Sequence, residues 1–178
     1  MPLPIRAHLV RHGRPLVVRD RPAATWELDP AGFDDVWALR DRLPHGATWF
    51  CSPEPKAVET AQLLTDGQVG ILEGLAELRR PDAWDDAYDL TAARAFAVPA
   101  AAAAPGWESL EELRGRLRTA LLPLRRTMAG EDVVLIGHGI AWTVLEADLA
   151  GRPPSVEAWR SSTMPDLRTV SLPADPHA

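Results

Sequence analysis

The chain has one cysteine, Cys51, and one lysine, Lys56, among 178 residues. A lone cysteine excludes an internal disulfide and any metal site built on several thiolates, and it makes a reducing, cytoplasmic setting the expectation. Long apolar runs are missing as well. Nothing approaches the roughly 18 uninterrupted apolar residues of a membrane span, and Met1 to Arg6 lack the apolar stretch of a secretory signal. Positive charge is not in excess: 19 Lys and Arg stand against 25 Asp and Glu, a net charge of −6. That balance argues against a general nucleic-acid binder, while permitting a local basic pocket inside an acidic shell.

What is present describes an ordinary globular chain. At 46% hydrophobic and 25% charged it can bury a sizeable core, and its length is that of a single domain over residues 1–178. All the basic residues except Lys56 are arginine.

Ile5 to Val10 reads as a buried strand that stops at Arg11-His12-Gly13. Arg14 to Pro30 reads as an irregular surface excursion. From Gly32 to Leu43 the spacing of Phe33, Val36, Trp37, Leu39 and Leu43 predicts a helix, ended by Pro44-His45-Gly46. A strand is expected at Ala47 to Cys51, then a helix that opens at Ser52-Pro53 and runs through Lys56, Thr60 and Leu64. Val69 to Leu72 is a third, weaker strand. Between Glu73 and Pro105 the pattern is faint, with a helical stretch at Ala92 to Ala97 and an alanine-rich connector behind it. Leucines at 110, 113, 117, 121 and 124 predict a long helix from Glu108 to about Met128, kinked or broken at Pro123. Val133 to Ile136 is the clearest strand and ends at Gly137-His138-Gly139. A helix over Ile140 to Leu149 and a last strand over Thr169 to Leu172 follow. Strands alternating with helices predict an α/β fold, a three-layer α/β/α sandwich around a largely parallel sheet.

His12 and His138 occupy matching positions, each after an aliphatic strand and before a glycine. Ligands of open α/β sheets bind beyond the carboxyl ends of the strands. Strands lying side by side would therefore bring both imidazoles to one edge. At a third strand end, Cys51-Ser52-Pro53 leads into a helix carrying Lys56, where a cation beside free helix-start N–H groups would make an anion site.

These residues resemble the histidine phosphatase superfamily, with its phosphoglycerate mutase-like fold. Leu9-Val10-Arg11-His12-Gly13 is similar to the family's strand-end Arg-His-Gly. Ser52-Pro53-Glu54-Pro55-Lys56-Ala57, followed by Thr60-Ala61, is similar to its Ser, Arg-Ala and Thr-Ala pattern. Leu75-Ala76-Glu77-Leu78 resembles its segment with an acidic catalytic residue, and Gly106-Trp107-Glu108-Ser109 the start of its long helix. Val134-Leu135-Ile136-Gly137-His138-Gly139 falls where the second histidine belongs. The matches come in family order, from about residue 5 to 145.

The resemblance implies that His12 is the nucleophile, phosphorylated in turnover, with Arg11 and Lys56 clamping the phosphoryl oxygens and His138 hydrogen-bonded to them. Glu77 would donate a proton to the leaving oxygen, and no metal or cofactor is implied. Three departures accompany it: Lys56 replaces the usual Arg, Arg14-Pro15 follows Gly13, and Arg79-Arg80-Pro81 follows the acidic segment. A lysine grips phosphate as a point charge instead of a planar fork. Gly13, Arg14 and Arg79 are candidate substrate contacts, the two arginines having solvated surface positions as the alternative. Glu73 is an alternative to Glu77, and Trp84, Trp107 and Trp142 either wall a pocket or pack in the core. The expected activity is a metal-independent phosphatase for a small phosphomonoester, with neither nucleic acid nor membrane as partner. The alternatives are a phosphoglycerate mutase-type phosphotransferase, for which so short a chain leaves little lid, and a phospho-ligand binding module.

Overall fold

A computed structural model of the chain describes residues 3–175. A five-stranded sheet forms its centre: β1 (Ile5–Arg11), β2 (Thr48–Cys51), β3 (Val69–Ile71), β4 (Asp132–Gly137) and β5 (Asp166–Leu172). The order across the sheet is β3-β2-β4-β1-β5. All neighbours are parallel except β5, which runs antiparallel to β1 at the edge. Val133, Val134, Leu135 and Ile136 are fully buried because helices cover both faces. Val133 and Leu135 pack in one apolar cluster with Leu113, Leu117 and Leu145. Val134 and Ile136 pack in the other with Val36, Ala57 and Ala61. The result is the three-layer sandwich predicted from the alternation of strands and helices.

The helices are α1 (Phe33–Trp37), α2 (Pro55–Leu64), α3 (Tyr88–Ala97), α4 (Leu110–Thr127), α5 (Gly139–Leu149) and α6 (Val156–Ser161). Three of them depart from the sequence reading. The helix expected through Leu43 stops at Trp37 and continues only as a tight turn at Arg40–Arg42. Pro44 disfavours helical backbone at the residue before it, and Leu43 is extended. Proline also moves the start of α2. Glu54 precedes Pro55 and is held extended, so the helix opens at Pro55 rather than at Ser52-Pro53. In α4 the expected break at Pro123 is missing. Pro123 and Thr119 both lie on the exposed face, where the carbonyl that the missing N–H frees is open to solvent. The short α6 is an element that the periodicity did not show. Among the described residues, no helix is long and apolar enough to cross a membrane.

Ser109 caps α4 in a reciprocal pair with Glu112, and the helix's five buried leucines lie on one stripe. On its flank, α4 supports the turn at residues 73–75. A side chain at Gly74 would place its Cβ 2.4 Å from Ala120 Cβ and 3.4 Å from the Arg116 carbonyl. We therefore expect Gly74→Ala to push this turn off α4 and to cost about 1–3 kcal/mol in chemical denaturation. Adding Ala120→Gly should recover part of that loss; no recovery would show that the contact does not set the spacing.

Candidate active site

Parallel pairing of β1 with β4 puts Arg11 opposite Gly137, so the next residues, His12 and His138, leave the sheet side by side. Their rings are 5.1 Å apart between centroids. The strand ends are stitched together by backbone hydrogen bonds from His12 N–H to the Gly137 carbonyl (2.9 Å) and from Ser52 N–H to the Ile136 carbonyl (2.8 Å). The histidines line a cavity of about 400 Å³ together with Arg11, Glu54, Lys56 and Glu77.

His12 is buried, and its Nδ1 lies 2.7 Å from the carbonyl of Gly13. A carbonyl only accepts, so Nδ1 carries the proton and Nε2 keeps its lone pair. Burial, followed by the neighbouring His138, Lys56 and Arg11, holds the His12 pKa well below the usual histidine range. His138 is fully buried and is lowered in the same way, by burial first and then by Lys56 and Arg11. Its Nε2 lies 2.7 Å from Ser52 Oγ, which accepts the Glu54 N–H at 3.3 Å. Both imidazoles are neutral near pH 7.

Arg11 donates from Nη1 to the carbonyl (2.8 Å) and hydroxyl of Ser162, just past α6. Among the described residues, Arg11 Nε and His138 Nδ1 are the buried side-chain polar atoms without a hydrogen-bond partner. Buried polar atoms left unpaired are costly, and both belong to residues that line this cavity.

The Glu77 carboxylate accepts the N–H groups of Leu78, Ile140 and Ala141, each at 3.0 Å. Burial and then the charge of Glu54 raise its pKa, while these three donors pull the other way. The segment carrying it is clamped by Arg116, which donates to the carbonyls of Gly74 and Ala76 (2.9 Å each) and Glu77 (3.1 Å) and pairs with Glu108. Glu73 sits on the exposed turn and is not among the residues lining the cavity.

Lys56 lies at the cavity in a different setting from the one expected. Its ammonium is paired with the Glu54 carboxylate and donates to the Ala23 carbonyl at 2.7 Å, both charged side chains being more than nine-tenths buried. No free helix-start donors stand beside it. Pro55 has none, the Lys56 N–H goes to Trp26, and those of Ala57 and Val58 go to Glu54. Arg14 is half-exposed and paired with Asp29, Arg79 is exposed, and neither lines the cavity. Arg80 does, with its guanidinium 4.3 Å from the centre of the Tyr88 ring. Gly13 contributes backbone only, donating to Thr60 Oγ1 at 3.0 Å, and a Cβ there would lie 2.5 Å from a Val36 methyl. Trp84 walls the cavity, whereas Trp107 and Trp142 belong to the core. Cys51 is buried, its thiol pushed up to about 11 by burial.

Glu54 is the functional residue the sequence reading overlooked. One oxygen accepts the Glu77 N–H (2.8 Å) and lies 3.5 Å from His138 Nε2, while the other meets Lys56. Its signal was available: an acid two residues from the chain's only lysine. Among the described residues, no group of three His, Cys, Asp or Glu side chains is arranged to hold a metal ion. Removing one member of a buried ion pair typically costs about 3–5 kcal/mol. Lys56→Met should destabilise the fold by that order in urea titration, and Glu54→Gln/Lys56→Met should recover most of it. A double variant as unstable as the single one would show that the pair is not energetically coupled.

The pattern of the family described as "Histidine phosphatase superfamily (branch 1)" matches residues 7–172. No curated protein matches the chain by sequence. Among solved structures, a phosphoglycerate mutase from Bacillus anthracis str. Sterne has a TM-score of 0.75 at 16% identity, covering 97% of this chain and 90% of that one. The mycobacterial glucosyl-3-phosphoglycerate phosphatase Rv2419c has a TM-score of 0.69 at 20% identity, with 96% and 99% covered. A phosphoserine phosphatase from Entamoeba histolytica has a TM-score of 0.69 at 16% identity, with 93% and 89% covered. These likenesses establish a phosphoglycerate mutase-like fold, and the pattern spanning nearly the whole sequence establishes that the chain belongs to the histidine phosphatase superfamily.

Proposed function

We propose that the protein is a phosphatase that hydrolyses a small phosphomonoester through a phosphohistidine on His12, without a metal ion. One observation carries the reading: the neutral His12 shares its cavity with the guanidinium of Arg11, a second neutral imidazole, His138, and the carboxyl of Glu77. The N–H groups of the Arg11 guanidinium suit the oxygens of a phosphoryl group, whose negative charge spreads over its equatorial positions in transfer. Arg11 supplies the fixed positive charge. Lys56 supplies less than its formal charge, because Glu54 offsets it at contact distance.

The chemistry runs in two steps. His12 Nε2 uses its lone pair to form a P–N bond as the P–O bond to the alcohol breaks, and the departing oxygen takes the proton of Glu77. The Glu77 carboxylate then takes a proton from water, whose oxygen attacks phosphorus. The P–N bond breaks, its electron pair returns to Nε2, and inorganic phosphate leaves. Burial raises the Glu77 pKa above the usual carboxylate range, which favours the protonated form that the first step needs.

Purified protein should hydrolyse para-nitrophenyl phosphate in EDTA, and His12→Ala should abolish this. Continued turnover by the alanine variant would refute the nucleophile. Tight phosphate binding without turnover of any ester would describe a binding module, and movement of phosphate between hydroxyls of a phosphoglycerate, rather than to water, would describe a mutase.

The pH dependence follows from the two shifts. His12 must be neutral, and with its pKa lowered, activity persists below the usual histidine range before protonation removes it. Glu77 must be protonated in the first step, and with its pKa raised, activity falls as pH climbs through that value. A bell-shaped kcat/KM profile is expected, its acidic limb below the usual histidine range and its basic limb above the usual carboxylate range. Glu77→Gln should remove the basic limb and lower kcat by about 10²–10⁴-fold for a poor alkyl leaving group. An unchanged basic limb would assign it to another group.

A further inference from the structure

The cavity extends well past the groups that would meet phosphorus. At about 400 Å³ it lies within the ~300–1,000 Å³ of pockets that enclose whole small molecules. Much of its wall away from the histidines is apolar or aromatic: Val17, Trp26, Trp84, Tyr88, Trp159 and Met164. The indoles of Trp26 and Trp84 stand 6.2 Å apart between centroids. Trp84 is fixed in place, its Nε1 donating to Asp86 at 2.7 Å and Arg19 standing 4.7 Å from its ring centre. Arg19 does not itself line the cavity.

Charge on these walls has one dominant sign. Asp85, Asp86 and Asp89 line the cavity against a single wall cation, Arg80, which is spread over the Tyr88 ring. Asp89 is matched by Arg160, whereas Asp85 accepts the Ala87 N–H and Asp86 the Trp84 N–H, both neutral donors. A second anionic group on the ligand would meet this field after leaving water.

We propose that the alcohol half of the substrate is an aryl or bulky apolar group with no second anion. The aromatic walls then remove its surface from water, and Asp85 and Asp86 exclude esters whose alcohol carries a carboxylate or another phosphate. This rests on the phosphatase reading and names the substrate class for the same site.

Three esters with comparable primary alkyl leaving groups separate binding from leaving-group chemistry: 3-phenylpropyl phosphate, propyl phosphate and 3-phosphooxypropanoate. The expected order of kcat/KM is phenylpropyl first, by about tenfold over propyl, and the carboxylate ester last. Trp84→Ala should shrink the phenylpropyl-to-propyl ratio, and Asp85→Asn/Asp86→Asn should raise the carboxylate ester relative to propyl phosphate. Equal rates for the three esters, or a preference for the carboxylate ester, would overturn the inference while leaving the phosphatase intact. If none is turned over, the phosphatase reading fails instead. The calorimetric affinities of the same esters then decide the wall's preference: the same order upholds it and equal affinities overturn it.

Discussion

Parallel pairing of two neighbouring strands does the organising here. β1 and β4 lie far apart in the chain, and their register makes both strands end at one level, with a histidine following each. A slip of one residue would turn every side chain of a strand to the opposite face of the sheet. Val133 to Ile136 are fully buried on both faces, so such a slip would have to repack the two apolar clusters at once. The fixed register thus determines which groups meet at the sheet edge, and the burial that fixes it also keeps both imidazoles uncharged.

Around that pair, the electrostatics are nearly balanced rather than simply basic. Arg11 and Lys56 face Glu54 and Glu77 within one cavity. Glu54 joins three parts of it: it accepts the Glu77 N–H, holds the Lys56 ammonium, and lies near His138. Substitution of a lysine at position 56 is therefore inseparable from the acid two residues before it. A cradle whose charges largely cancel would bind a dianion through directed donors more than through net field, which gives the guanidinium of Arg11 its weight.

Much of this was legible in the sequence because it depends on local pattern. Strands β1 and β4 announce themselves as aliphatic runs stopped by glycine-flanked histidines, and the leucine spacing of α4 gives its buried stripe. What escaped depends on partners far away in the chain. Arg116 reads as one more arginine on a helix surface, yet it holds the backbone of the Glu77 segment from about forty residues away. Ser162 gives no signal of its contact with Arg11. Of the adjacent Arg79 and Arg80, the reading chose the exposed one, since nothing in an irregular loop tells which side chain turns inward. Most of the cavity wall comes from such loops, residues 15–26 and 78–87, where no helical or strand periodicity is there to be read.

The most direct test of the account is the covalent state of the protein during turnover. Rapid quench into alkali, followed by mass spectrometry of the peptides, should find a transient, acid-labile phosphoryl group on His12 that forms and decays as fast as phosphate is released. Steady turnover with no phosphorylated protein, or with the phosphoryl group on another residue, would contradict it.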